Sequence, residues 1–96
     1  MNIEVLGIRF TNGSRTTKAF VDIKIGDIVI RDFRVCQNNG KIYIQNPYNC
    51  YKDADGKIKY HRIVDLPPNL LAEVNGTVLV EYLRRLREKK NEQQQR

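Results

Sequence analysis

The stretch from Phe20 to Pro47, FVDIKIGDIVIRDFRVCQNNGKIYIQNP, constrains the fold more than any other part of the chain. It holds three apolar runs separated by tight turn signals. Val21, Ile23 and Ile25 alternate with Asp22 and Lys24, the period of a strand with one buried face. Gly26-Asp27 follows, and glycine first in a two-residue loop suits a type II′ hairpin. Ile28 to Cys36 is the second run. Asn38-Asn39-Gly40 then supplies residues that tolerate positive φ, which predicts a second hairpin. Ile42 to Gln45 is the third run, closed at Asn46-Pro47 because proline has no amide to give a sheet ladder.

The second run changes parity partway. Ile28 and Ile30 share one face, whereas Phe33 and Val35 share the other. Either a bulge near Arg31-Asp32 re-aims the strand by one residue, or both of its faces are covered.

The flanking segments extend this pattern. Ile3 to Phe10 predicts an N-terminal strand, with a second irregularity where the alternation breaks at Leu6-Gly7. Asn12-Gly13 is a hairpin signal, and Thr17 to Ile25 is the return strand. Asn46 to Lys57 reads as a long loop. Its Asp53-Ala54-Asp55-Gly56 reads as a turn, because the bidentate glutamate of a calcium loop is absent at the needed spacing. Ile58 to Val64 predicts a fifth strand. Leu66-Pro67-Pro68-Asn69 ends the sheet and opens a helix, with Asn69 or Asp65 as the expected cap. Leu71, Val74, Val78, Leu79, Tyr82, Leu83 and Leu86 form one apolar stripe. The stripe keeps its register across Asn75-Gly76, which favours one helix over a fresh start at Thr77. The expected fold is α+β: a five-stranded antiparallel, strongly bent sheet followed by one C-terminal helix packed on it. Residues 1–90 form a single domain, and the polar residues 91–96 are expected to fray.

Composition narrows the functional classes. Hydrophobic content of 41% supports a folded core, and no apolar run approaches the ~20 residues that span a bilayer. The start, Met1-Asn2-Ile3-Glu4, lacks the basic and apolar regions of a secretory leader, so a cytoplasmic location is expected. Cys36, at a strand end, reads as a small buried hydrophobe, and Cys50 as a loop residue. Neither has the spacing of a metal or redox pair. His61 is the only histidine, with no nucleophile or orienting partner in its context. No glycine-rich phosphate loop follows a strand. The chain therefore reads as a non-enzyme without cofactor, metal or small-molecule substrate.

A net charge of +6 raises the prior for a polyanionic partner. Arg84, Arg85, Arg87, Lys89 and Lys90 crowd one helix end, with Glu88 the only acid in residues 84–90. Lys52, Lys57, Lys59 and Arg62 form a second basic set, interleaved with Tyr43, Tyr48, Tyr51 and Tyr60. Cations with aromatics suit backbone contact plus stacking of unpaired bases. Each set also has a plainer reading: cations favour a helix C-terminus through the macrodipole, and tyrosines pack on sheets.

The motifs in order resemble the stage V sporulation protein G (SpoVG) family of small bacterial regulators. They are Val21-Asp22-Ile23, Asp32-Phe33-Arg34-Val35, the Asn39-Gly40 turn, Tyr43 to Pro47, the Asp55-Gly56 turn, Pro67, and the helix reaching Glu81-Tyr82. The resemblance spans about residues 3–83. It implies a homodimer that binds DNA or RNA and acts in sporulation, septation or related gene-expression control. It also implies nucleic-acid contact through the helix and neighbouring basic loops. Two places depart from the family pattern. Pro47 is followed by Tyr48-Asn49-Cys50-Tyr51 with Lys52 as the lone cation, and the helix opens on Leu70-Leu71-Ala72-Glu73, without early basic residues. The other function class left open is a protein-protein interaction module of cell division or sporulation that makes no nucleic-acid contact.

Overall fold

The structure, a computed structural model, describes residues 2–12 and 16–94, with side chains as far as Asn91. Six strands precede one helix: β1 (Ile3–Phe10), β2 (Thr17–Ile25), β3 (Ile28–Asn38), β4 (Lys41–Gln45), β5 (Tyr48–Lys52), β6 (Ile58–Arg62) and α1 (Pro68–Gln94). The α+β class is as expected, but the single five-stranded sheet is not. β1 to β4 form a four-stranded antiparallel meander, and β5 and β6 pair only with each other as a separate two-stranded ribbon. Tyr48 to Lys52, expected within a loop, is a strand. Pro47 stops β4 from continuing, and the chain doubles back through a turn that Asp53 holds. Asp53 Oδ1 accepts the backbone amides of Asp55 at 3.0 Å and Lys57 at 2.9 Å.

The sheet turns follow from local chemistry. Gly26 has φ of 57° in the two-residue loop between the paired Ile25 and Ile28. Asn39 and Gly40 both have positive φ, 53° and 79°, between the paired Asn38 and Lys41. Two positive φ values in sequence define the type I′ hairpin that Asn-Gly favours. The expected Asn12-Gly13 turn falls partly outside the described residues, since Gly13 is among those not described.

Both expected irregularities are present. Val21 pairs with Phe33 and Ile23 with Ile30, so Arg31 and Asp32 together face Asp22. Asp32 takes the left-handed conformation, φ 69°. The bulge moves Phe33 and Val35 onto the core face, and both are fully buried. On the other side of β2, Val5 pairs with Ile23 and Gly7 with Asp22, which leaves Leu6 as the extra residue.

Ala19, Val21, Ile23, Ile25, Phe33 and Val35 present one sheet face to Val74, Val78 and Tyr82 of α1. Tyr82 packs against Phe10, with ring centroids 5.8 Å apart. The helix buries a narrower line than its apolar stripe predicts: Leu70, Val74, Val78, Tyr82 and Leu86 face the sheet, while Leu83 stays 40% exposed. A four-residue step follows one side of a helix more closely than the wider stripe does. The helix is continuous through Asn75-Gly76. Pro68 opens it, and the Pro67 carbonyl accepts the first helical bond from Leu71 at 2.8 Å. Asp65, one of the two expected caps, pairs with Arg62 instead. The backbone remains helical to Gln94, four residues into the segment expected to fray. No described helix is long and apolar enough to cross a membrane.

Candidate nucleic-acid interface

One residue of each basic set can be placed against the sheet. Arg62 of β6 lines a cavity of about 470 Å³ with Ile44 and Gln45 of β4 and with Leu71 and Asn75 near the start of α1. Lys89, near the other end of α1, lies 4.6 Å over the Phe10 ring of β1. β1 and β4 are the two outer strands, so Arg62 and Lys89 stand at opposite edges of the sheet.

Two of the five cations in the helix set, Arg84 and Arg85, are paired within their own helix. Arg84 donates to Glu81 and, at 2.6 Å, to Glu88; Arg85 Nε donates to Glu81 at 2.8 Å. The Arg84 and Arg85 hydrogen bonds hold the Glu81 carboxyl at about 2, below its ordinary 4.5. Glu81 lies just outside the 84–90 window, and its spacings of three and four to the arginines are those that meet on one helix face. Arg87 and Lys90 are exposed and have no acid partner among the described salt bridges.

The ribbon set is more open. Every residue of β6 is exposed, as are all of β5 except Tyr48. Register places Tyr48 and Arg62, Cys50 and Tyr60, and Lys52 and Ile58 on one face; Asn49 and His61, and Tyr51 and Lys59, share the other. Tyr60 packs edge-on against Tyr48 with centroids 5.6 Å apart. The acids are loosely engaged. Lys59 Nζ stands 4.0 Å from Asp53, and Arg62 stands 3.4 Å from an equally exposed Asp65. Pairs this exposed contribute at most about 1 kcal/mol, so both cations can be redirected to another anion. Lys52 and Lys57 have no acid partner among the described salt bridges. Tyr43, of the same aromatic group, stands apart on β4 opposite Cys36.

Charges that sequence reasoning did not single out lie on the sheet face turned away from the helix. Asp22 is nearly buried there and accepts from Arg9 at 2.7 Å, from Arg31 at 3.2 Å and from the Asp32 amide at 3.1 Å. Burial alone raises its carboxyl, but the Arg9 hydrogen bond and the Asp32 amide outweigh that and hold it below 3.8. Arg9 also reaches Asp32 at 2.7 Å, which ties β1 to the bulge. Register places Phe20, Arg34 and Gln45 side by side across the same face. The Arg34 guanidinium lies 3.9 Å from the Tyr48 ring centroid and 5.5 Å from that of Phe20. In the sequence Arg34 stands out only as a cation within an apolar run and as part of the Asp32-Phe33-Arg34-Val35 motif, neither of which gives it a binding role.

Cys36 is buried and Cys50 exposed, both with free thiols. No family model and no curated protein matches this chain.

Proposed function

We propose that this protein is a SpoVG-like nucleic-acid-binding regulator of the kind that acts in bacterial sporulation, septation or gene-expression control, working as a homodimer. It contacts DNA or RNA mainly through Lys52, Lys57, Lys59 and Arg62 of the ribbon. Arg84, Arg85, Arg87, Lys89 and Lys90 form a second contact at the helix end, where Arg87 and Lys90 are the readiest because Glu81 and Glu88 hold Arg84. One observation carries this reading: a two-stranded ribbon with almost no buried side chain presents four cations together with Tyr51 and Tyr60. A ribbon of this kind fits the major groove of a duplex, and its exposed rings suit stacking on unpaired bases. The open β1 and β4 edges support self-association, since unpaired strand edges invite a second chain.

Anisotropy of labelled single- and double-stranded oligonucleotides across several salt concentrations tests the reading. The variant K52Q/K57Q/K59Q should bind more weakly, with the salt slope reduced by about 0.7 unit per lost single-strand contact. Wild-type protein that leaves the anisotropy unchanged even at low salt would end the proposal.

A second reading, a protein-protein module without nucleic-acid contact, draws support from Ile58, Tyr60, Ile63 and Val80, each more than half exposed. Partners captured equally well after nuclease treatment, with no oligonucleotide binding by the purified protein, would favour it.

A further inference from the structure

Arg34 differs from the other arginines of the open sheet face. Arg9 and Arg31 are committed to Asp22 and Asp32. Arg34 takes part in no salt bridge among the described residues, and its Nε is buried with no acceptor. A buried donor left unmet costs about 1–3 kcal/mol, so the site gains from an incoming acceptor. The guanidinium plane is positioned by aromatic rings, Tyr48 from the ribbon and Phe20 from β2. Stacking of this kind engages the face of the group and leaves its N–H edge for a bidentate anion. Arg34 also lines a cavity of about 500 Å³ with Thr11, Asn12, Thr16 and Thr17. Hydroxyl and amide donors around a guanidinium suit an anion with several oxygens better than one with two. The Thr11 hydroxyl already donates to the Thr17 carbonyl at 2.7 Å and the Thr17 hydroxyl is paired with the Cys36 thiol at 3.9 Å, so Asn12 and Thr16 are the additional donors.

We infer that Arg34 is the receptor for a phosphoryl anion, and, resting on the nucleic-acid reading above, that this anion is a backbone phosphate of a single strand lying on the open face of the sheet. Tyr48 then links the two surfaces: it belongs to the ribbon that supplies the lysines, and it positions the guanidinium that fixes the phosphate.

The Arg34 Nε–H resonance, followed by NMR in the wild-type protein, reads the site directly. Inorganic phosphate and a short oligothymidylate should both shift it, and acetate at equal concentration should not. In parallel, R34K keeps the charge but loses the fork. It should bind the oligonucleotide about tenfold more weakly at fixed salt, as expected for losing a charge-assisted hydrogen bond, with an unchanged salt slope. An Nε–H resonance that neither phosphate nor oligonucleotide moves overturns the inference, and so does one that acetate moves equally. If that happens while K52Q/K57Q/K59Q still weakens binding, the nucleic-acid function survives without this site. A resonance that phosphate moves in a protein that binds no oligonucleotide keeps the phosphoryl receptor, assigns it to a free phosphate, and overturns the strand-backbone assignment.

Discussion

The four-stranded sheet and the β5–β6 ribbon are both antiparallel and both turn on residues with positive φ, yet they differ in what holds them. Every fully buried hydrophobic side chain among the described residues lies in β2, β3 or α1, and none lies in the ribbon. The sheet is stabilised by burial, with the Asp22 network fastening its open face. The ribbon depends on its own ladder, the Asp53 turn and the Tyr48–Tyr60 contact. An isolated two-stranded ribbon is marginal in water, so this one relies on its anchorage to the body. The difference separates roles: the sheet and helix supply a rigid platform, and the ribbon supplies side chains that answer to solvent and ligand.

Substitutions in the two regions should therefore differ sharply. Phe33→Ala removes a fully buried ring at the bulge and should lower unfolding free energy by about 3–5 kcal/mol in denaturant titrations. Ile58→Ala, on the ribbon, should stay within about 0.5 kcal/mol. A comparable loss at both sites would break the comparison.

Asp22→Ala comes next, at about 2 kcal/mol. It removes a partnered, nearly buried carboxylate, but Arg9 and Arg31 are 53% and 70% exposed and remain hydrated, so the loss falls short of that for a fully buried pair. The same residue gives the platform a pH signature. Its carboxyl titrates below 3.8 in the folded state, so its contribution is complete above that value and is lost as pH falls further. Acid unfolding of the wild type should include this loss, and D22A should show a flatter stability profile below about pH 4. Profiles that coincide would remove Asp22 as the fastener.

Gly76→Ala should have a smaller effect of opposite sign. A Cβ there meets nothing within 4 Å, and the residue sits mid-helix without positive φ. Relief of glycine's backbone entropy should raise stability by about 0.5–1 kcal/mol. Least demanding is amide exchange: ribbon amides should exchange through local opening, well before those of β2 and β3. Equal protection in both would mean that the ribbon opens only with the whole fold.

The parts legible in the sequence were those set by neighbours along the chain. Gly26-Asp27 and Asn39-Gly40 were readable because the turn depends on the two residues that make it. The bulge at Arg31-Asp32 was readable because it shifts the apolar parity around Phe33. β5 was missed because Tyr48 to Lys52 is exposed on both faces, so no buried side imposes a period of two. The pairing of Arg84 and Arg85 with Glu81 was missed because Glu81 stands one turn back along the helix, outside the 84–90 cluster. The stack of Arg34 on Tyr48 joins β3 to a strand in another sheet, and nothing local records it.

The base of the ribbon is narrow. Asn46 Nδ2 donates to the Val64 carbonyl at 3.3 Å, and the Ile63 amide donates to the Pro47 carbonyl at 3.0 Å, so the two legs are fastened to each other where they leave the body. Five strand residues at about 3.3 Å each make a lever of roughly 17 Å beyond that hinge. A pivot of about 20° at the fastening would carry Lys57 at the tip through roughly 6 Å, while Tyr48 at the fulcrum would scarcely leave Arg34.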